Sequence, residues 1–264
     1  MSNPQPLAMV TGASAGIGAA FARRLSRDGY RLILVARRAN RLEDLARELG
    51  GAETLAADLT AEADLRRVEA RIDAASDLEL LVNNAGFGLA GRFFETPVEG
   101  HARMHQLHVC ATMRLSHAAL RGMAARGQGG LINVSSVASF SQNPGSVSYC
   151  ATKAWMTSFT EGLHLDLLSA GSAVRVQALC PGFTYSEFHD VMGMDRNRIP
   201  KFMWCTAEDV VAASLKGLAK GKVVVIPGLF YRALVPVLRW IPRFALYRMA
   251  VVYGRRTRRI EKGV

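Results

Sequence analysis

Tyr149 and Lys153 stand four residues apart in Tyr-Cys-Ala-Thr-Lys, and Ser136 lies thirteen residues upstream of Tyr149. Residues i and i+4 share one face of a helix, so this spacing predicts a lysine ammonium beside a tyrosine phenol. A positive charge there favours phenolate and lowers the tyrosine pKa from its usual value of about 10. A phenol tuned in this way exchanges a proton with a substrate oxygen. A serine hydroxyl close by holds the same oxygen. The three residues make the proton half of carbonyl and alcohol redox chemistry. The hydride has to come from a cofactor, so a nucleotide site is expected as well.

The elements that would position such a site begin at the N-terminus. Leu7 to Val10 is a short apolar run of the kind found in buried parallel strands. Thr11-Gly12-Ala13-Ser14-Ala15-Gly16-Ile17-Gly18 follows, and an amphipathic stretch from Ala19 to Asp28 closes at Gly29. Strand, glycine-rich turn and helix form the setting of a dinucleotide fingerprint. Gly12 permits the tight turn, Gly16 lets backbone approach a pyrophosphate, and Gly18 lets helix pack on strand. The first N–H groups of the helix then face the phosphates. A second strand, Arg31 to Ala36, runs into Arg37-Arg38. NAD sites place an acidic residue near this point; here it is Ala36. Guanidinium groups suit a 2′-phosphate, so the expected cofactor is NADP(H). The competing reading of Arg37-Arg38 is a solvated basic turn.

With these motifs the chain resembles the short-chain dehydrogenase/reductase family, in its NADP-preferring single-domain branch. The resemblance spans roughly residues 7 to 228. Thr11 to Gly18 is similar to TGxxxGxG, and Asn83-Asn84-Ala85-Gly86 to NNAG after the strand Leu80 to Val82. Ser136 with Tyr149 and Lys153 is similar to the catalytic set, and Pro181-Gly182 to the loop after the sixth strand, Val174 to Leu179. YxxxK alone is nearly worthless; four motifs in order are specific. The resemblance implies an α/β fold: a Rossmann-like doubly wound parallel sheet of about seven strands with helices on both faces. It implies cofactor contacts at Gly12, Ser14, Ile17, Gly18, Arg37 and Arg38, then at Asp58 and Leu59 beside the adenine. Asn83, Ala85, Gly86, Pro181, Gly182 and Ser186 continue the set, with Asn83 also supporting the central strand. Tyr149 and Lys153 complete it, Lys153 holding the nicotinamide ribose. One departure stands out. Where the family carries an asparagine that anchors a water next to the catalytic lysine, alignment places His108. Imidazole can donate and accept. Three readings stay open: a working relay, a neutral structural substitution, and altered chemistry.

The loops leaving the carboxyl ends of the strands, where open sheets bind ligands, are apolar. Phe87, Phe140, Phe183, Tyr185 and Phe188 are the candidate substrate residues, and such lining fits a hydrophobic ketone, aldehyde or secondary alcohol. The bland alternative is that these side chains only pack the loops on the domain.

Length and composition set bounds. The 264 residues suffice for one α/β domain, read as residues 1–228 with a basic apolar extension over 229–264. The four cysteines, Cys110, Cys150, Cys180 and Cys205, have no paired or metal-type spacing and fit a reducing compartment. No signal-peptide pattern occurs between Met1 and Pro6, so a cytoplasmic location is expected. The net charge of +11 is uneven: residues 1–219 hold 22 Lys/Arg against 21 Asp/Glu, and residues 220–264 hold 11 against one. Concentrated charge marks an interaction surface. Arg232, Arg239 and Arg243 recur at helical spacing among apolar residues, while Pro236 and Pro242 argue against one unbroken helix. The tail reads either as an interfacial segment on an anionic membrane or as a helical extension packed on its own domain or a sister subunit. Nothing supplies a base-reading module for nucleic acid. A homo-oligomer is implied by the resemblance. The rival to an enzyme is a non-catalytic nucleotide-binding scaffold attached to a membrane or partner by its tail.

Overall fold

Strand alternation explains how the sheet divides its two faces. In Leu7–Thr11 (β1), Ala8 and Val10 point into one apolar layer and Leu7 and Met9 into the other. Arg31–Ala36 (β2) alternates in the same way, with Leu32 and Leu34 on one side and Ile33 and Val35 on the other. Strands buried on both faces read as continuous apolar runs, and these do. The computed structural model describes residues 5–187 and 199–261, except for the side chains of Arg239 and of residues 253–261.

Among the described residues one parallel sheet contains β1, β2, Glu53–Ala56 (β3), Leu78–Asn83 (β4), Gly130–Val134 (β5), Arg175–Leu179 (β6) and Val224–Val225 (β7). The strand order is β3-β2-β1-β4-β5-β6-β7. This is the doubly wound architecture expected. The last strand is shorter than the run Val223 to Ile226.

One face is covered by Gly16–Arg27 (α1), Ala39–Glu48 (α2) and Ala207–Ala219 (α7), around Phe21, Leu25, Leu42 and Val210. The other carries Glu62–Asp73 (α3), Thr112–Arg126 (α5) and Val147–Ser169 (α6), around Leu65, Val68, Leu115 and Met123. Val98–His105 (α4) runs into α5 through a wide π-helical turn, Gln106–Ala111.

The chain leaves β1 towards β2 and β3, then returns to start β4 on the other side of β1. The reversal opens a crevice at the carboxyl ends of β1 and β4, where ligands bind in such sheets. The C-terminal stretch forms two helices, Leu229–Trp240 (α8) and Arg243–Glu261 (α9). Pro242 falls at the break, as expected, whereas Pro236 sits inside α8. Pro236 and Arg232, whose carbonyl loses its helical partner, both lie on the exposed side, where water can take that role. Because the helix breaks at Ile241-Pro242, Arg232 and Arg243 lie on separate helices.

Candidate active site

The crevice between β1 and β4 is stitched by Thr11 and Asn84. The Thr11 hydroxyl accepts from the backbone N–H groups of Asn84 (2.9 Å) and Ala85 (3.0 Å) and donates to the Val82 carbonyl (3.3 Å). The Asn84 amide returns a bond to the Thr11 carbonyl at 2.9 Å. The glycine turn and the Asn83–Gly86 loop therefore form one unit. Gly12 has φ of +66° and Gly16 of +54°, the region that favours glycine. At Gly18 a Cβ would lie 2.3 Å from the Gly12 carbonyl oxygen, so only glycine lets α1 approach this closely. No side chain caps α1 and no acidic residue occupies its first turn. Its leading N–H groups are oriented for an anion. The bare turn and the uncapped helix fit a pyrophosphate, with Ser14 and Ile17 half-buried along the turn.

At the end of β2, Arg37 and Arg38 are exposed. Arg38 bonds the Ser14 hydroxyl (3.0 Å) and the Glu187 carboxylate (3.0 Å), and Arg41 pairs with the same carboxylate. Arg41 and Arg38 hold the Glu187 carboxyl below its ordinary range. Three guanidinium groups thus gather where an NAD site would carry an acid. Beyond β3, on the same side, burial pushes the Asp58 carboxyl up. The Thr60 N–H, the Thr60 hydroxyl and the charges of Arg37 and Arg103 outweigh that and hold it below the usual range. Leu59 beside it is buried. Ser186 crosses over the turn, its Cβ 3.0 Å from where a Cβ on Gly16 would lie. Asn83 supports the central strands, the part of its expected role that its hydrogen bonds bear out. Its amide donates to Asn133 (2.9 Å) and Ser116 (3.1 Å) inside the core. Both donors are spent beneath the crevice, so the side chain braces the central strands and does not reach towards a ribose.

The catalytic trio meets at the ends of β5 and α6. Ser136 follows β5, its hydroxyl accepting from the Ala138 N–H (3.1 Å) and hydrogen-bonded to Tyr149. Lys153 is buried and donates to the Val134 carbonyl at 2.7 Å, with its ammonium 5.8 Å from the Tyr149 ring centre. The expected lowering of the Tyr149 pKa by Lys153 is not what this arrangement produces. Burial pushes the phenol up to about 12, against the opposing bond from Ser136. Burial likewise pulls Lys153 down to about 8. The i, i+4 spacing does bring the two groups to one face, and the ammonium gives its hydrogen bond to the Val134 carbonyl.

His108 sits in the π-helical turn, fully buried. The Phe87 N–H donates to its Nε2 at 3.2 Å, so the ring proton lies on Nδ1, which meets the Thr152 hydroxyl at 3.0 Å. That hydroxyl donates in turn to the Tyr149 carbonyl at 3.0 Å. Burial, with the charges of Lys153 and His105, holds the His108 pKa well below 6.5. Both ring nitrogens are engaged, and no hydrogen bond among the described residues links His108 to Lys153. Of the three readings of His108, these contacts match the structural one: the neutral ring bridges the Phe87 N–H and the Thr152 hydroxyl on the two sides of the site. Gly86 makes room for it, since a Cβ there would lie 2.8 Å from Nε2.

Phe87 lies against His108, with centroids 6.0 Å apart, and His108 against Tyr149 at 6.1 Å. Phe87 and Phe140 are half-buried at the ends of β4 and β5. Phe183 and Tyr185 instead clasp Trp204, with centroids 5.5 Å and 4.7 Å away, the second pair stacked. For these two the loop-packing reading describes the contacts seen. Phe188 lies outside the described residues. Pro181 is buried, and Gly182 faces the Tyr231 ring, which a Cβ would strike at 2.0 Å.

Several structural partners were not singled out from sequence. Thr152 was findable inside Tyr-x-x-x-Lys, three residues after Tyr149. Thr11 and Asn84 appear there only as letters of motifs. For Glu187, Arg41 and Tyr231 no local signal exists.

The model of the short chain dehydrogenase family matches residues 6–197, and the chain belongs to that family. It is similar to a short-chain dehydrogenase from Sphingobium yanoikuyae solved in complex with NADPH, at 38% identity and a TM-score of 0.79, covering 85% of this chain and 88% of that one. The bulky-bulky ketone specific alcohol dehydrogenase from Comamonas testosteroni is 33% identical, with a TM-score of 0.77 over 86% of this chain and 88% of its own. The human L-xylulose reductase is 31% identical over 238 residues, 84% of this chain and 95% of that protein. The protein is thus an oxidoreductase of this family, acting between CH–OH and C=O groups.

Proposed function

We propose that this protein is an NADPH-dependent carbonyl reductase, reversible as an alcohol dehydrogenase, for lipophilic ketones, aldehydes or secondary alcohols. The observation that carries the reading is the meeting of Ser136, Tyr149 and Lys153 beside a glycine turn whose helix start is bare. NADPH, when bound, supplies the hydride. The Ser136 hydroxyl, steadied by the Ala138 N–H, holds the substrate oxygen. Tyr149, protonated at neutral pH, delivers its proton to that oxygen as negative charge develops there. Lys153 holds the ribose hydroxyls below about pH 8, while it is charged. His108 takes no part in proton transfer and fixes the backbone around Tyr149.

Support for NADP(H) over NAD comes from Ala36 at the acidic position and from Arg37, Arg38 and Arg41 beside it. The relatives' names run from a sugar reductase to a bulky-ketone enzyme, so the substrate class rests on Phe87, Phe140 and the apolar loops of this chain. The catalytic unit is residues 1–228, with 229–264 as its extension, working in the cytoplasm. A homo-oligomer is supported by a groove of about 680 Å³ between α5 and α6, lined by Met113, Leu120, Phe159 and Leu163, with Leu168 exposed nearby. The scaffold alternative has no observation in its favour, because the trio is intact.

The test is NADPH oxidation against a panel of lipophilic carbonyl compounds, with NADH in parallel. Arg37→Ala should weaken NADPH by about tenfold, the scale of a charge-assisted contact, and leave NADH unchanged. Equal loss for both would overturn the cofactor assignment, and no turnover across the panel would overturn the substrate class.

A further inference from the structure

A surface helix of a globular domain turns its apolar stripe inward and its polar residues outward. α8 breaks this rule on its outer side. Tyr231 and Val235 are buried, whereas Leu229, Arg232, Ala233, Pro236, Val237 and Trp240 face solvent. The exposed positions recur at helical spacing, so they form one face, and only Arg232 in it is polar. Leu229 is 82% exposed and Trp240 89%. On α9 the pattern continues with Phe244, Tyr247 and Val251, flanked by exposed Arg243 and Arg248. Phe202, also exposed, packs edge-on against Phe230 at the start of α8. Single exposed apolar side chains are ordinary; a contiguous, rimmed set marks an interaction surface.

The charge identifies the partner. Residues 220–264 carry 11 Lys/Arg against one Asp/Glu, so an occupant has to be anionic as well as apolar. Among the described residues no helix is long and apolar enough to cross a membrane. Aromatic and aliphatic side chains beside arginines match the boundary between acyl chains and anionic headgroups.

Tyr231 links this face to the active site. Its ring covers Gly182. Its hydroxyl accepts from the Phe183 N–H at 3.2 Å and donates to the Met203 carbonyl at 2.9 Å. Phe183 lies four residues after β6 and Met203 four residues before α7.

We propose that α8 and α9 dock on an anionic lipid surface, and that Tyr231 couples the docked pair to the backbone at Phe183 and Met203. Docking stands by itself; the consequence for a lipophilic substrate rests on the carbonyl reductase reading.

The full chain is mixed with phosphatidylglycerol–phosphatidylcholine vesicles and with phosphatidylcholine vesicles alone, then sedimented. Selective pelleting with the anionic vesicles, reversed by salt, is expected. The double variant Trp240→Glu/Phe244→Glu should lose at least about tenfold in binding, because two exposed aromatics that docking would bury are removed. It should retain NADPH oxidation with a water-soluble ketone, which separates failure of docking from failure of the reductase reading. Equal pelleting with neutral vesicles, or unchanged binding by the double variant, would overturn the proposal. So would a fall in oligomer size caused by the same substitutions without lipid, which would assign the face to a second copy of the chain. Tyr231→Phe keeps the ring over Gly182 and should bind vesicles normally, with a raised KM for a membrane-partitioned ketone and an unchanged kcat. An unchanged KM would remove the coupling.

Discussion

The crevice and the C-terminal helix pair place side chains against their usual preference in opposite ways. Around the crevice, polar groups are buried: His108, Thr152, Lys153, Asn83 and Asn133 are each nearly inaccessible. Each has a hydrogen-bond partner. In α8 and α9, large apolar groups such as Leu229, Trp240 and Phe244 are exposed. A buried polar group costs free energy unless it is partnered, so a polar network survives only if its geometry is fixed. An exposed apolar face has no such completion within the chain. The first region is partnered by its own residues, apart from the buried Asn83 Oδ1, whereas the proposed docking would complete the second from outside the chain.

Substitutions can break this contrast, the largest effect lying in the crevice. Tyr149→Phe removes the proton donor and should lower turnover by about 10²–10⁴, the usual contribution of a general acid. NADPH binding, followed by fluorescence titration, should be nearly unchanged. Turnover close to wild type would mean that the acid lies elsewhere.

His108→Leu leaves the Phe87 N–H and the Thr152 hydroxyl without their partner and should cost about 1–3 kcal/mol in denaturant unfolding. Its pH dependence is diagnostic. The His108 pKa is lowered in the fold, so below about pH 6.5 the unfolded chain binds a proton that the folded one refuses. Wild-type stability should therefore fall with acidification, by up to about 1.4 kcal/mol per pH unit from this group. His108→Leu should lack that component. Identical acid slopes in both proteins would mean that the ring is not held neutral.

Lys153 gives a smaller alkaline effect. With its pKa pulled down to about 8, it loses its charge as pH rises through that value. The kcat/KM for reduction should decline above it, because the ribose grip weakens. A profile flat to pH 10 would contradict a buried, ribose-holding ammonium. Glu187→Gln releases Arg38 and Arg41 from an exposed pair, so NADPH should bind tighter by less than about 1 kcal/mol, with NADH unmoved. At the far end, Trp240→Glu touches no packed contact and should change unfolding free energy by no more than about 0.5 kcal/mol. A larger loss would mean that the outer face of α8 is part of the fold's own core.

Much of the crevice was legible because its signals are local. The turn from Thr11 to Gly18 needs glycine where φ is positive and where helix meets strand, and that requirement is written in adjacent residues. The i, i+4 spacing of Tyr149 and Lys153 put them on one helix face, as found. The partner of the ammonium was not legible, because the Val134 carbonyl comes from β5 and not from the helix that carries Lys153. His108 shows the same limit. Its residue type permits relay and brace alike, and only the Phe87 N–H, brought 3.2 Å away from another segment, decides which nitrogen carries the proton. In the tail, Pro242 marked the helix break, but Pro236 did not break α8, because proline is tolerated where the freed carbonyl can face water.

By itself, then, the sequence determined the strand and helix periodicity, the glycine turn, the proton-handling trio, and the basic, apolar character of the last residues. All of these depend on neighbours within a turn or two of chain. The tertiary structure alone decided that burial raises the Tyr149 pKa, that both ring nitrogens of His108 are engaged, that Glu187 occupies Arg38 and Arg41, and that Tyr231 joins the tail to the backbone at Phe183 and Met203. Those outcomes depend on desolvation and on hydrogen bonds between segments remote in sequence, and neither exists until the chain has folded.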